Sequence, residues 1–385
     1  MTSAPKETDA PTKLAGPQAA DSRPFAVFTL FLAFGARAFG GPLVQIEALR
    51  EEFVRQRGWT TTERFDRALG VYQLLPGPEA HEMCCYLGTV RGGRLGGLAA
   101  GLGFMLPGLV LMLAASVLYA HIDLRAPAVA GALMAMQVAA CALIVRAVVR
   151  LVRPLSKDWR VLVFLAAFFA ALGLRLFEAV PTIAATDIAA RTPAVDALFG
   201  HGLAAGLVTF GGAYTALPYV AATAAGDGGW MTQQACLDGV AIASVLPAPL
   251  VIFGTFVGYA ASGIAGALAF TAGIFLPAFG FTLVGFGFFE RLVGWKPARG
   301  ALDALGAVAI GLIAAAALGF FHATINAMAG PREPHHHTPL DNIVLPCLCW
   351  AVAFAALHHL PTRFGAPILV LAAAAVGAAY GALFG

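Results

Sequence analysis

The chain has 385 residues, of which 59% are hydrophobic and 12% are charged, and its net charge is +3. Soluble domains carry about 25% charged residues, so this chain has half the usual supply of groups that can cover a water-facing surface. The composition excludes a soluble enzyme and a disordered chain, and the small net charge excludes a nucleic-acid-binding domain. The six cysteines show neither disulfide nor zinc spacing. We therefore expect an all-α, polytopic protein of the lipid bilayer, with no metal and no cofactor.

Residues 1–24 are polar and rich in proline, with no periodic apolar face, which is typical of a disordered tail. The apolar run 25–34 is followed by Ala36-Arg37-Ala38, which resembles the cleavage site of a signal peptide. Because the residues that follow belong to an internal repeat, we interpret this run as part of the membrane domain. We expect the tail to lie in the cytoplasm.

Seven apolar segments indicate spans, since crossing a bilayer takes about 20 residues and backbone groups in lipid must be paired within helices. These segments are Leu95–Tyr119, Pro127–Val145, Val161–Leu174, Ile264–Phe289, Ala304–Phe321, Ile343–Leu357 and Phe364–Gly385. Four more, 25–41, 68–88, 195–220 and 235–259, are interrupted by Gly-Gly or Pro-x-Pro. We expect these four to be broken or re-entrant helices, which gives about 10 to 11 membrane segments.

The chain contains an internal repeat. Phe39-Gly40-Gly41 recurs 171 residues later as Phe210-Gly211-Gly212, and Leu75-Pro76-Gly77-Pro78 recurs at the same offset as Leu246-Pro247-Ala248-Pro249. Gly58-Trp59 recurs as Gly229-Trp230, again at 171. Matches in register over such a stretch predict two homologous halves. We place the first half at residues 25–190 and the second at residues 195–385.

The charge distribution predicts that the halves have opposite orientations in the membrane. The first half carries five arginines between its two breaks, whereas the matching residues 213–246 contain no lysine or arginine. The arginines are Arg50, Arg55, Arg57, Arg64 and Arg67. Cytoplasmic loops are enriched in lysine and arginine, so we expect an inverted-topology repeat in the inner membrane. If the interrupted segments cross fully instead, there are eleven spans and the arginines fall outside.

The repeated segments resemble those of a known family. Phe39-Gly40-Gly41-Pro42, Gln73-x-Leu75-Pro76-Gly77-Pro78, Gly103-Phe104-x-x-Pro107 and Phe210-Gly211-Gly212-Ala213-Tyr214 are similar to signature segments of the chromate ion transporter family. The resemblance covers residues 25–385 and implies a carrier with two halves that exports chromate and confers chromate resistance. It also adds Gln73 to the candidate site. Two features depart from the family: residues 178–194 are too polar for the span that often closes the first half, and Glu79-Ala80-His81-Glu82 carries more ionisable groups than expected.

The breaks themselves indicate an anion site. Glycine allows a helix to unwind, and proline starts a new helix whose free N–H groups and positive dipole end favour an anion. In inverted-repeat carriers such helix ends meet at the binding site. We therefore predict that the breaks bind a tetrahedral dianion through Gly40, Gly41, Pro42, Pro76, Gly77, Pro78, Gly211, Gly212, Tyr214, Pro247 and Pro249. The alternative is that the breaks are packing kinks and that Tyr214 only packs.

Four ionisable residues lie close to the first-half breaks. Arg37 stands three residues before Gly40, and its forked donors match an oxyanion; the alternative is that it extends to the inner interface. Glu79, His81 and Glu82 follow the Pro-Gly-Pro break directly. They are candidate proton sites, because an ionised carboxylate would repel the dianion. Alternatively, the carboxylates only stabilise the positive end of a helix dipole.

Transport of chromate is the leading hypothesis, and a carrier for sulfate or another oxyanion is the alternative, because the two anions share shape and charge. A remote alternative is an intramembrane metal-dependent hydrolase, since His81-Glu82-x-x-Cys85 resembles a zinc-protease motif, but that motif needs histidine where Cys85 stands. The chain has no Walker-type phosphate loop, so we do not expect ATP to drive transport. A homo-oligomer is compatible with the sequence.

Overall fold

The computed structural model describes residues 23–73, 75–153, 159–173, 192–209, 216–226, 229–285 and 287–288, parts of 300–321, and residues 365–384. The regular secondary structure of these residues is helical, without strands. The predicted all-α class is therefore confirmed. The predicted span Ile343–Leu357 and most of the predicted tail lie outside the described residues.

The described part of the first half contains six helices. They are α1 (Pro24–Gly35), α2 (Pro42–Leu49, continued by a π-helical turn at Arg50–Gln56), α3 (Thr62–Tyr72), α4 (Glu79–His121), α5 (Pro127–Val152) and α6 (Arg160–Gly173). Pro24 and Pro42 occupy the first turns of α1 and α2, where proline is pre-organised and needs no N–H partner. The Thr61 hydroxyl accepts a hydrogen bond of 3.3 Å from the Arg64 N–H group and so caps the start of α3.

The second half repeats this order. It contains α7 (Val195–Leu207), α8 (Ala216–Ala225), α9 (Gln233–Ala243), a 3₁₀ turn (Leu250–Ile252) and α10 (Phe253–Leu283); α11 (Gly365–Phe384) follows towards the C-terminus. Thr232 caps α9 by accepting a hydrogen bond of 3.1 Å from the Ala235 N–H group. Because Thr232 stands 171 residues after Thr61, the repeat seen in the sequence is also a repeat of structure.

Helix α4 is a hairpin rather than one rod. At Gly92 and Gly93 the backbone leaves the helical conformation, and Gly93 has a φ of 64°. A Cβ atom placed on Gly96 would lie 2.5 Å from the carbonyl oxygen of Gly88. Residues eight apart in a straight helix are separated by about 12 Å. The chain therefore folds back on itself at the glycine pair.

The same hairpin occurs in α10. Its turn lies at Ser262 and Gly263, where Gly263 has a φ of 58°, and Gly258 and Gly266 contact each other across it. In both hairpins a side chain on the facing glycines would separate the two arms. We call residues 79–91 and 253–261 the short arms, and residues 94–121 and 264–283 the long arms.

The hairpins change which helices can cross a membrane. Among the described residues, three helices are long and apolar enough to do so: Glu79–His121, Pro127–Arg150 and Leu250–Leu283. The first and third are hairpins, so only their long arms are single spans. The short arm 79–91 is about 20 Å long, whereas the hydrocarbon core is about 30 Å thick. Each short arm is therefore half of a broken span or a re-entrant segment.

Glycine contacts join α1 to α4 and α7 to α10 in equivalent ways. A Cβ atom on Gly35 would lie 2.5 Å from the carbonyl oxygen of Phe104, and one on Gly206 would lie 2.5 Å from that of Ile274. Gly206 and Ile274 stand 171 and 170 residues after Gly35 and Phe104. Small residues let helices in lipid approach closely and gain van der Waals contact. The two halves thus use the same packing solution.

The two long arms run antiparallel to each other. A Cβ atom on Gly97 would lie 2.6 Å from the Leu283 side chain, and one on Gly101 would lie 2.5 Å from the Phe279 ring. From Gly97 to Gly101 the residue number on α4 increases by four, while that of the contacted residue on α10 decreases by four, from Leu283 to Phe279. Equivalent helices that run antiparallel are related by a two-fold axis perpendicular to them, which is the relation that an inverted repeat requires.

The outer faces of the long arms are apolar and exposed. Leu98, Leu102 and Leu106 form a stripe on α4, and Leu268 and Leu276 occupy the positions equivalent to Leu98 and Leu106 on α10. Spacings of four residues place such side chains on one face of a helix. The glycine-rich faces are buried and the leucine faces are exposed, as expected for helices surrounded by lipid.

We predict that Gly88→Ala lowers the unfolding temperature of the detergent-solubilised protein, because the new methyl group would collide with Gly96 and lie 2.5 Å from the Ala100 side chain. Overpacking of this kind costs about 1–3 kcal/mol. Gly280→Ala is the matched control, since a Cβ atom on this helical glycine meets nothing within 4 Å. Heating followed by size-exclusion chromatography measures both variants, and equal unfolding temperatures would contradict the hairpin contact.

Candidate functional site

The Pro-Gly-Pro break of the first half meets the second half. Gly77, between Pro76 and Pro78, has a φ of 151°, and its N–H group donates a hydrogen bond of 2.6 Å to the carbonyl oxygen of Thr209. Thr209 is buried and directly precedes Phe210-Gly211-Gly212, the glycine break of the second half. The first-half proline break therefore lies next to the C-terminal end of α7, in the other half.

A small cavity joins the other two breaks. Gly40 and Gly41 line it from the first half, and Leu246 and Ala248 line it from the second. Helices α5 and α9 and the 3₁₀ turn complete its wall with Ala140, Leu143, Ile144, Val240, Ala243, Ser244 and Leu250. Its volume is about 40 Å³, which is room for a few water molecules. The glycine break of the first half therefore lies next to the proline break of the second half.

The first-half glycine break has a backbone conformation that favours glycine. Gly40 and Gly41 have φ values of 97° and 82°, which favour glycine, and Pro42 then begins α2. Gln45 spans the break: its N–H group donates to the Gly41 carbonyl at 3.0 Å, and its Nε2 donates to the Ala38 carbonyl at 2.7 Å. The Gln45 side chain is buried, and its Oε1 has no partner among the described residues.

The sequence analysis did not select Gln45. The signal was an amide side chain three residues after Pro42, inside a largely apolar stretch. Such a group needs a reason to be buried, because an unpaired amide in an apolar environment is costly.

The second-half proline break has a different local geometry. Pro249 precedes the 3₁₀ turn Leu250–Ile252 as its N-cap residue, whereas Pro78 directly precedes α4. Ala248 donates its N–H group to the Leu246 carbonyl at 2.9 Å. Beside it, a Cβ atom on Gly108 would lie 3.6 Å from the Pro247 carbonyl oxygen. The two proline breaks are equivalent in position, but the N–H group of Gly77 donates to the other half, whereas that of Ala248 donates within its own turn.

The acidic cluster after the first proline break is buried. Glu79 and Glu82 lie in the first turn of α4, and Gln73, which ends α3, is a hydrogen-bond partner of Glu79. A Cβ atom on Gly77 would lie 2.6 Å from Oε1 of Glu82, so this carboxyl group faces the break. Neither oxygen of Glu82 hydrogen-bonds to a described residue. The structure thus brings Gln73, Gly77, Glu79 and Glu82 together.

His81 of the same turn contacts the second half. Its ring centroid lies 4.9 Å from that of Phe275 and 4.7 Å from that of Phe279, both on the long arm of α10. Its Nδ1 lies 3.8 Å from Sγ of Cys85. The part of the chain that the structure describes holds no cluster of three or more His, Cys, Asp or Glu side chains able to bind a metal. Nothing in this geometry supports the hydrolase alternative.

Arg37 lies outside the cavity in this conformation. Its side chain is 65% exposed and lies 3.9 Å from Glu52, and its Nε donates to the Ala33 carbonyl at 3.0 Å. The residue therefore sits at the surface end of α1. Its predicted role in anion binding stays a prediction, as do those of Gly211, Gly212 and Tyr214, which fall outside the described residues.

A second buried carboxyl group, which the sequence analysis missed, lies on α9. Asp238 is 2% exposed and accepts hydrogen bonds of 2.6 Å from the Tyr119 hydroxyl and 2.6 Å from Nε2 of Gln137. These partners belong to the long arm of α4 and to α5. Asp238 is one of only two charged residues between 197 and 289, and an ionisable group in an apolar segment is a signal that sequence reasoning can use.

The fold and these contacts define a class of protein: a polytopic helical membrane protein whose two related halves meet at interrupted helices, as in transporters. The chain belongs to the chromate transporter family, because the family described as "Chromate transporter" matches residues 25–190 and 197–378. The resemblance drawn from the glycine and proline segments is therefore confirmed.

Individual relatives agree with this assignment. The chain is 38% identical over 412 residues to the "Chromate transport protein" of Pseudomonas aeruginosa, covering 97% of this chain and 95% of that protein. It is 28% identical to the "Probable chromate transport protein" of Synechococcus elongatus, covering 68% and 75%. It is 25% identical to the "Chromate transport protein" of Cupriavidus metallidurans, covering 75% and 80%. No solved structure matches the chain.

We predict that Gly41→Ala impairs anion transport, because it adds a methyl group to the cavity wall and forces alanine into a φ of 82°. Gly58→Ala is a control for a positive φ away from the cavity: it places alanine at a φ of 62°, and nothing lies within 4 Å of its Cβ position. Gly58→Ala should lose about 1 kcal/mol of stability, and Gly41→Ala about 1–3 kcal/mol, because Gly41 combines its φ with a ψ of 177°. Only Gly41→Ala should reduce flux per folded protein in vesicles, and an equal reduction in both would contradict the role of the cavity.

Proposed function

We propose that this protein is a secondary transporter that exports chromate from the cytoplasm and so confers chromate resistance. The observation that carries the proposal is the crosswise meeting of the breaks: Gly40 and Gly41 share a cavity with Leu246 and Ala248, and Gly77 donates to Thr209. Family membership and the names of the relatives supply the substrate. A transporter of this kind needs no catalytic residue, and we propose none.

Anion binding in this proposal uses backbone donors at the helix ends. In the described chain, the breaks at 40–42, 76–78 and 247–249 lie at helix starts, and we add Gly211 and Gly212 from the sequence repeat, with Gln73 and Tyr214 as neutral side-chain donors. N–H groups and dipole ends stabilise a dianion without a fixed positive charge. A site of this type binds the anion and also releases it, as a carrier must.

The described cavity is small, at about 40 Å³, for a tetrahedral oxyanion of five heavy atoms. In this proposal its walls move apart when the anion binds. The four breaks are the natural hinges, because movement of one half against the other around a fixed site is how inverted-repeat carriers give alternating access.

The membrane potential supplies a driving force for export. With the cytoplasm negative, moving two negative charges outward across 100 mV gains about 4.6 kcal/mol, twice the single-charge figure. Export therefore needs neither ATP nor a coupled cation. Arg37, at the surface end of α1, would attract the anion after leaving Glu52.

Protonation of the acidic cluster belongs to the same proposal. The Glu82 carboxyl group faces Gly77 without a partner among the described residues, and Glu79 and His81 lie in the same turn. An ionised carboxylate there would oppose a dianion at the proline break. We therefore assign proton binding in the first half to this turn.

Flux into vesicles tests the function. We expect proteoliposomes that contain the purified protein to accumulate chromate when the interior is made positive by a potassium gradient with valinomycin. Empty liposomes and Gly41→Ala vesicles are the controls, and sulfate is added as competitor. If the vesicles take up sulfate but not chromate, and chromate does not slow sulfate uptake, the substrate is sulfate rather than chromate. If they take up neither anion, the transporter proposal is rejected.

Labelling from each side of the membrane tests the orientation. We propose that the N-terminus is cytoplasmic and that the halves are inverted in the inner membrane. Glu63 and Gln234 are exposed and occupy equivalent positions, 171 residues apart. In a cysteine-free background, we expect an impermeant maleimide added to intact cells to label Gln234→Cys but not Glu63→Cys, and the reverse in inverted vesicles. Labelling of both from one side would rule out the inverted arrangement.

A further inference from the structure

We propose that Asp238, held by Tyr119 and Gln137, is a proton-binding site whose protonation favours anion occupancy of the neighbouring cavity. This inference rests on the proposed function, since it concerns the same cavity. It assigns to the second half a titratable group distinct from the acidic turn at Glu79. The structure supports it through the partners of the carboxyl group, its charge environment and its position relative to the cavity.

Both partners of Asp238 can serve either protonation state. The Tyr119 hydroxyl and the Gln137 amide now donate to the two carboxyl oxygens, as suits an ionised carboxylate. A hydroxyl group and an amide can each also accept. Oε1 of Gln137 is buried and has no partner in the described chain, so an amide flip would present it to a protonated Asp238. The site can thus gain or lose a proton while keeping its hydrogen bonds.

No described cation neutralises Asp238. Among the described residues it makes no ion pair, and the titratable groups near it are the Tyr119 hydroxyl and the Cys236 thiol of its own helix. The elements packed against α9 carry other titratable groups, none of which makes a hydrogen bond or ion pair with Asp238. These groups are Glu79, His81, Glu82, Cys84, Cys85, Tyr86, Arg91, Arg94, His121, Cys141, Arg146, Arg150, Tyr219 and Tyr259. A carboxylate buried without a countercharge is costly, and uptake of a proton removes that cost.

The site lies about one helical turn from the cavity. Gln137 stands three residues before Ala140 and seven before Ile144, both of which line the cavity, and this spacing places all three on one face of α5. On α9, Val240 and Ala243 line the same cavity. An ionised Asp238 would therefore repel a dianion through a low-dielectric region, and a neutral Asp238 would not. Proton binding and anion binding are then linked, with each favouring the other.

Asp238→Asn tests the inference, because it fixes a neutral side chain of nearly the same shape. Chromate binding to the purified protein is measured by calorimetry from mildly to strongly alkaline pH, where the solute is doubly charged throughout. We expect wild-type affinity to fall as pH rises. In Asp238→Asn the fall should be smaller, so that the affinity at the alkaline end is roughly tenfold or more above wild type. The same pH profile in both proteins would overturn the proposal.

Two further variants separate proton binding from a structural role. Tyr119→Phe removes one donor but keeps the carboxyl group, so the midpoint of the pH profile should move towards alkaline pH by roughly one unit. Thr255→Val removes a buried hydrogen bond of 2.8 Å to Thr271 and should lower stability while leaving the midpoint unchanged. If Tyr119→Phe and Thr255→Val lose stability equally and neither shifts the midpoint of the pH profile, Asp238 has only a structural role in helix packing and the proton-site proposal is rejected.

Infrared spectroscopy tests the proton site without any anion. The difference spectrum between acidic and alkaline protein should contain the carbonyl band of a protonated carboxylic acid, and Asp238→Asn should lose part of it while Glu79→Gln and Glu82→Gln keep that part. Unchanged bands in Asp238→Asn would reject the proton site even if chromate is transported. Loss of the band without chromate binding in any protein would instead reject the proposed function and leave proton binding by Asp238 established.

Discussion

The architecture depends on one constraint: within lipid, each backbone N–H and C=O group must find a partner inside the protein. A helix interrupted in the membrane frees several such groups, so it is stable only where another part of the chain supplies partners. Here the partner of one break comes from the other half, as the hydrogen bond from Gly77 to Thr209 shows. The interruptions and the meeting of the halves are therefore one feature. The other described breaks are bridged within their own half, by Gln45 at the glycine break and by the bond from Ala248 to Leu246 at the second proline break.

Glycine residues allow the helices of the two halves to pack closely enough for the breaks to contact the opposite half. Contacts at Gly88 with Gly96, and at Gly258 with Gly266, close the two hairpins, and the closed hairpins hold the proline breaks at the starts of the short arms. The long arms then cross antiparallel through Gly97 and Gly101. Packing energy in lipid comes from close van der Waals contact rather than from exclusion of water, so added methyl groups at these positions act on the whole arrangement. The leucine faces carry no such constraint.

Much of this could be predicted from the sequence, because repeats and Gly-Gly or Pro-x-Pro breaks are local signals with a direct physical meaning. The long arms 94–121 and 264–283 agree with the predicted spans. The hairpin turns were not predicted, since Gly92-Gly93 and Ser262-Gly263 lie between segments that were treated separately and only the contact across the turn reveals them. The exposure of Arg37 depends on tertiary packing with Glu52. Asp238 was detectable as a charge in an apolar segment, but its partners are far away in sequence.

The halves share a fold but not a charge pattern, and this difference gives a symmetric scaffold a direction. The position equivalent to Asp238 is Arg67, which is exposed, while the position equivalent to Glu82 is Phe253 in the core. Each half thus buries a carboxyl group where its counterpart has none. In an inverted repeat, perfectly equal halves would make the inward-facing and outward-facing states equal in energy. Carboxyl groups at non-equivalent positions would remove that equality in the arrangement that we propose. Transport would then respond to the pH difference across the membrane as well as to the potential.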